Sequence, residues 1–270
     1  MKKFFVWTLA ILLTVGASIY QRQSGPTYPL KISEIPGDKD YKMKLIRSAS
    51  IGEQTFVEIP VSEAFDSAVI CFHKYPSDSK NTITPFEKYA QSWKVMLPDQ
   101  PPAGKLQYYV ILFKNGEKTM QTDDNSAIIR FKGQVPDYIL IPHIIAMFSA
   151  MLFSLVSLFY IFFNTGNYRL FSYLTVITLI IGGFILGPIM QNYAFGDYWT
   201  GWPIGKDFTD NKTLIALIIW ITAIILNLKK ERKWAVILAS VSMLIVFSIP
   251  HSLGGSEYNY ESGQVETGKK

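Results

Sequence analysis

The chain has 270 residues, 49% of them hydrophobic and 17% charged, with a formal net charge of +5 and a mean hydropathy of +0.18. That length allows one or two domains, and that hydropathy leans towards membrane. A basic balance would admit nucleic acid in a soluble protein, but here Lys and Arg are spread through a polar stretch or crowded into short loops beside apolar runs, which excludes that partner. The single cysteine, Cys71, excludes an intramolecular disulfide and a cysteine-based zinc site.

Met1-Lys2-Lys3 precedes an apolar run from Phe4 to Tyr20. A cleaved signal peptide would need a small-residue cleavage site. Here Gly16, Ala17 and Ser18 lead into bulky Ile19 and Tyr20, which points to an uncleaved signal anchor over residues 1–20.

Residues 21–137 are polar and rich in turn residues. Alternating segments broken by Gly, Pro, Asp and Asn predict strands at Tyr28 to Ile35, Tyr41 to Ser48, Thr55 to Val61, Ser67 to Lys74, Tyr89 to Leu97, Lys105 to Phe113, Glu117 to Gln121 and Ala127 to Lys132. Short strands at this spacing imply a β-sandwich, and Asn115-Gly116 marks a tight hairpin. Cys71 and His73, two apart on one strand, share a face. They read either as a soft metal-ligand pair or as a buried thiol beside a rim histidine.

Residues 138–250 hold four apolar runs: Tyr138 to Phe163, Leu170 to Met190, Thr213 to Leu228 and Trp234 to Pro250. Each approaches the roughly 20 residues that a crossing helix needs, and the third of these has room to extend through Phe208 to Lys212 or Asn227 to Lys229. The expected fold is therefore five transmembrane helices plus an all-β sandwich. Lys2 and Lys3, Arg169, and the cluster Lys229, Lys230, Arg232 and Lys233 mark cytoplasmic segments. Threading the helices through them puts the amino terminus inside. Residues 21–137, the loop Gln191 to Lys212 and a tail over 251–270 fall outside, so the cytoplasmic side receives no segment long enough for a catalytic domain.

Three features fall on that outer side. His143 lies near the start of the second helix and His251 follows the fifth. Either they cap helix ends, or as imidazoles at similar depth they ligate a haem iron or another metal. Tyr193, Phe195, Tyr198, Trp199 and Trp202 crowd one loop, either as an interfacial aromatic belt or as a platform for a planar ligand. Asp207 and Asp210 are expected to cap the fourth helix, and Gly182, Gly183 and Gly187 to allow close helix packing.

The stretch LPDQPPAGKLQYYVILFKNGEK resembles immunoglobulin-like and fibronectin-type sandwiches, a likeness that implies binding or spacing. The Trp-rich loop between two histidines is similar in layout to the haem-handling proteins of cytochrome c assembly. Gly196 and Trp199 agree with that family's pattern, whereas Phe195 replaces its first Trp and Gly201-Trp202 its Trp-Asp pair. The ending PHSLGGSEYNYESG is similar to that of a small four-helix membrane family linked to b-type haem. As a whole the chain resembles bacterial inner-membrane proteins that carry an extracytoplasmic immunoglobulin-like domain.

No complete catalytic motif is present, which favours a non-enzymatic binding or accessory role. The partners would be the lipid bilayer and an extracytoplasmic or membrane protein met through residues 21–137. The alternative is b-type haem binding, electron transfer or haem handling, with His143 and His251 as ligands and Tyr198, Trp199 and Trp202 against the ring.

Overall fold

The computed structural model describes residues 1–76, 79–250 and 255–266. The described residues divide into two compact units, one of residues 1–26, 135–250 and 255, the other of residues 27–76, 79–134 and 256–266.

The first unit is helical: α1 (Lys2–Ser24), α2 (Asp137–Phe163), α3 (Tyr168–Phe195), α4 (Phe208–Lys229) and α5 (Lys233–Ser248). Among the described residues, four of these, α1 to α4, are long and apolar enough to cross a membrane. The fifth has 16 residues, about 24 Å at roughly 1.5 Å per residue, shorter than a hydrocarbon core of about 30 Å. The fourth takes up Phe208 to Lys212, because Asp207 ends the loop as an N-cap, accepting from Thr209 N (2.7 Å) and Asp210 N (3.3 Å).

Helix α2 is the centre of this unit and touches α1, α3 and α5. Its buried residues Met147, Ala150, Met151, Ser154, Leu155 and Leu158 recur at helical spacing. Small residues share the same core: Ala216 and Ala223 on α4, Ala235 and Ala239 on α5 are all nearly fully buried, which lets α5 approach both α2 and α4. Hydrogen bonds also cross between helices in this interior, as where Ser240 Oγ donates to Ser154 O (3.0 Å) and Ser157 Oγ to Tyr168 O (2.9 Å).

Helix α3 widens into a π-helical turn at Ile180–Leu186. Pro188 has no N–H to give and its ring crowds the preceding turn, and the wider turn takes up that misfit. Gly182 and Gly183 sit inside it because there is no room for a Cβ, which would stand 2.8 Å from Met147 Sδ and 2.7 Å from Thr213 Cγ2 respectively. The close packing expected of these glycines is what the structure shows.

The second unit is all β. Its strands are β1 (Leu30–Ile35), β2 (Asp38–Leu45), β3 (Ser48–Ser50), β4 (Thr55–Pro60), β5 (Ser67–Tyr75), β6 (Thr82–Pro85), β7 (Glu87–Lys88), β8 (Ser92–Leu97), β9 (Lys105–Lys114), β10 (Glu117–Gln121), β11 (Ala127–Lys132), β12 (Glu257–Asn259) and β13 (Gln264–Glu266). The largest sheet runs β3-β11-β9-β5-β6, a smaller one β4-β8-β7, and β1-β2 forms a hairpin. Strand β9 pairs with β5 along its length, while its other edge is shared by β11 at Leu106 and Tyr108 and by β10 at Leu112 and Phe113. The β9-β10 turn is Asn115-Gly116, both residues with positive φ, the primed turn that right-twisted strands favour.

One core joins these sheets. Ile70, Leu106, Val110 and Phe131 from the larger sheet meet Met43, Val57, Trp93 and Val95 from the others. Cys71 points away from it. It is buried against its register neighbours Tyr109 and Ile83, and His73 bonds Asn81 through Nδ1 (3.0 Å). No group of three His, Cys, Asp or Glu side chains able to hold a metal occurs among the described residues.

Tyr41 and Tyr108 donate from within this core to Pro60 O (2.9 Å) and Ile46 O (2.8 Å). Burial holds both phenols neutral well above their usual range. For Tyr41 the Asp38 carboxylate adds to this, and for Tyr108 the Arg47 guanidinium opposes it without prevailing. An unfolded tyrosine ionises near pH ~10. The contribution of these two is therefore fully present below that pH and is lost as pH rises towards their folded values. Hydrogen exchange of the β-unit peptides should accelerate at pH 11 relative to pH 8 beyond the intrinsic rate change. A Tyr41→Phe, Tyr108→Phe double variant should show a smaller acceleration, and an equal one would assign the effect to other groups.

Within the stretch 251–270 expected as a tail, residues 256–266 fold as the β12-β13 hairpin of the β unit. Tyr260 Oη accepts from Lys105 N (3.1 Å) and lies 2.9 Å from Gln100 Oε1. Tyr258 N donates to Ala103 O (3.2 Å), Glu257 pairs with the Lys105 ammonium, and Arg130 donates to Ser256 O.

Candidate functional site

A cavity of about 210 Å³ lies in the helical unit, where the carboxyl-terminal ends of α1, α3 and α5 meet the amino-terminal ends of α2 and α4. Every helix contributes to its lining: Gln21 from α1, His143 and Met147 from α2, Met190 from α3, Lys212 and Thr213 from α4, Phe247 from α5. Ile144 and Phe148 also line it and are 40% and 39% exposed, so they form its open flank.

His143 is buried, and its Nδ1 lies 2.9 Å from Gly182 O. A carbonyl only accepts, so Nδ1 carries the proton and Nε2 keeps a lone pair in the neutral ring. The π-helical turn makes this possible: the same carbonyl takes the N–H of Gly187, five residues on, and remains turned towards α2. A Cβ on Gly187 would stand 3.2 Å from that oxygen and 3.8 Å from His143 Cε1. The residue singled out in the sequence is thus held in one orientation by the glycines of the neighbouring helix.

Lys212 is only 5% exposed. Its ammonium donates to Ile249 O (2.7 Å) and stands 3.4 Å from Pro250 O, two carbonyls at the end of α5, where a cation is favoured. Gln21 Nε2 donates to the same Ile249 oxygen (3.3 Å). The sequence places Lys212 at the edge of the fourth helix, among the residues through which that helix has room to extend. The expected cap at Asp207 brings it in: a carboxylate at the N-cap starts the helix five residues before Lys212 and carries it inside.

The aromatic loop is tied down through α4. Thr200 N donates to Asp210 Oδ2 (2.8 Å) and Trp202 N to Asn211 Oδ1 (2.6 Å). Asp210, expected as a second cap, instead serves the loop, because Asp207 already occupies the capping position. Gly201 fits only without a side chain, since a Cβ would lie 2.6 Å from Asp210 Cβ.

Trp199 stacks on Phe184 with ring centroids 5.5 Å apart and 28° between planes, and its Nε1 donates to Trp202 O (3.1 Å). Tyr198 and Trp202 are exposed. Among the described residues, none of Tyr198, Trp199 and Trp202 lines the cavity beside His143. His251 lies outside the described residues. Among the described residues, the cavity brings His143 together with Lys212, Gln21 and Thr213.

A second cavity, about 250 Å³, lies at the opposite helix ends among Tyr168, Arg169, Glu231 and Lys233. Its walls are largely turns and charged side chains, and Tyr168 Oη bonds Asn227 Oδ1 (3.2 Å) and Glu231 Oε1 (3.1 Å) across it. The first cavity combines an apolar wall with buried polar groups, as a binding site requires. The chain matches no family model, no curated protein and no solved structure.

Proposed function

We propose that this chain is a multi-pass protein of the bacterial cytoplasmic membrane that binds rather than catalyses, holding a hydrophobic or amphiphilic molecule in the five-helix cavity. In this reading all five helices cross the bilayer, the short α5 being met by local thinning of the bilayer, the amino terminus is cytoplasmic, and the β unit is extracytoplasmic. The Lys and Arg residues of the 229–233 turn and of the amino terminus support the orientation. Outward-facing Ile215, Ile218 and Ile225 on α4 suit contact with lipid tails. The core common to the sheets and the Asn115-Gly116 hairpin support an immunoglobulin-like sandwich, available to an extracytoplasmic protein partner.

The observation that carries the proposal is the cavity itself: apolar on one side, with His143, Lys212 and Gln21 on the other, and drawn from every helix. The Thr213 hydroxyl in its lining is spent on Thr209 O (2.8 Å), and the reading is one of recognition. Native mass spectrometry of protein purified in a neutral detergent tests this. A non-covalent adduct is expected on the wild type and should be lost from Leu140→Trp, which fills the cavity from α2. Identical adducts on a correctly folded Leu140→Trp protein would overturn the proposal.

A further inference from the structure

We infer that the molecule held in this cavity is an anionic amphiphile, its phosphate or carboxylate head on Lys212 and its chain leaving between Ile144 and Phe148. The inference rests on the cavity being a ligand site and adds the ligand's class. Lys212 supplies the charge argument. A lysine this deep in an apolar bundle is costly and is retained where it has work to do. The carbonyls of Ile249 and Pro250 satisfy two of its donor directions but carry no net charge, and its third N–H has no partner among the described residues.

Nothing in the described lining neutralises it. The lining holds no carboxylate, and Lys212 forms no ion pair within 4.0 Å among the described residues. Asp207 acts on it only through space, with an oxygen committed to the amides of Thr209 and Asp210. An oxyanion arriving here completes the ammonium's bonding and its charge together. Gln21 and the Nε2 of His143 offer acceptors for a hydroxyl or acid proton on the same head.

The walls decide that the anion carries a tail. Leu140, Met147 and Phe247 would gain nothing from a free phosphate, whereas an alkyl chain against them is stabilised by about 0.8 kcal/mol per buried CH₂. Size agrees: at about 210 Å³ the cavity is smaller than the roughly 300–1,000 Å³ of sites that enclose a whole small molecule. It takes a head and the first carbons of a chain. The remainder leaves on the flank where the exposed Ile144 and Phe148 stand, the side a membrane-dissolved chain would come from.

Three probes separate the possibilities on full-length protein in nanodiscs of zwitterionic lipid: dodecyl phosphate, the uncharged dodecyl maltoside and inorganic phosphate. Dodecyl phosphate should bind saturably and about tenfold or more tighter than dodecyl maltoside, as expected for one charge-assisted hydrogen bond. K212Q should lose that preference and K212R keep it within about threefold. If K212Q fails to fold, the wild-type ratio and K212R still decide. Equal affinity for the two dodecyl probes would overturn the anionic head and leave the ligand cavity standing. Inorganic phosphate competing at the same concentration as dodecyl phosphate would overturn the tail. Saturable binding of none of them would overturn the cavity as a ligand site as well.

Discussion

A chain ending at Gly255 is expected to keep its helical unit and lose about 2–4 kcal/mol from the β unit, at about 1–3 kcal/mol for each buried polar group left without its partner. The lost hairpin supplies Tyr260, whose hydroxyl serves Lys105 N and Gln100. It also supplies Glu257 beside the Lys105 ammonium and the Ser256 carbonyl beneath the buried Arg130. Those contacts fall where β9 and β11 begin their pairing, at Lys105↔Arg130 and Leu106↔Ile129. Hydrogen exchange should therefore accelerate first in peptides covering residues 105–108 and 127–130, by on the order of a hundredfold. Tyr260→Phe should reproduce part of the effect in the full chain. Unchanged protection in the truncated protein would mean that the hairpin lies on the β unit without supporting it.

Gly182→Leu should be the most damaging single change in the helical unit. A Cβ alone would meet Met147 Sδ at 2.8 Å and Ala146 Cβ at 3.1 Å. The sulfur can swing aside, but Ala146 is fixed to the backbone of α2, so the helices must separate. Overpacking of this kind costs about 1–3 kcal/mol or more. The damage reaches the cavity directly, since Met147 lines it and the Gly182 carbonyl fixes His143. We expect a lowered unfolding temperature in detergent together with loss of the bound adduct. Gly16→Leu on α1 is the control, because nothing stands within 4 Å of a Cβ there. Equal losses at both positions would show a general intolerance of bulk rather than close packing of α2 on α3.

Both experiments probe features that differ in how legible they were. Alternation of apolar and polar residues is a local property, so strands such as Ser67–Tyr75 and Ala127–Lys132 and the Asn115-Gly116 turn could be read directly from the chain. Long apolar runs are local too, which is why the helices stand where hydropathy put them. Asp207 as a cap and the tight fit of Gly182 and Gly183 followed from residue type and position.

The apolar helices, most of the longer strands and the change of composition at residue 137 could be read from the chain alone, because each depends on neighbours within a few positions, whereas the short strands Thr82–Pro85 and Glu87–Lys88 could not. Tertiary structure alone decided the rest. Segment 256–266 joins strands more than 120 residues earlier, since Tyr260 meets Lys105 at a separation of 155 and Arg130 meets Ser256 at 126. The cavity draws Gln21, His143, Lys212 and Phe247 from four different helices. No local pattern encodes which side chains meet when helices pack, because that choice is set by the fit of Gly182 against Met147 and of Lys212 against the end of α5.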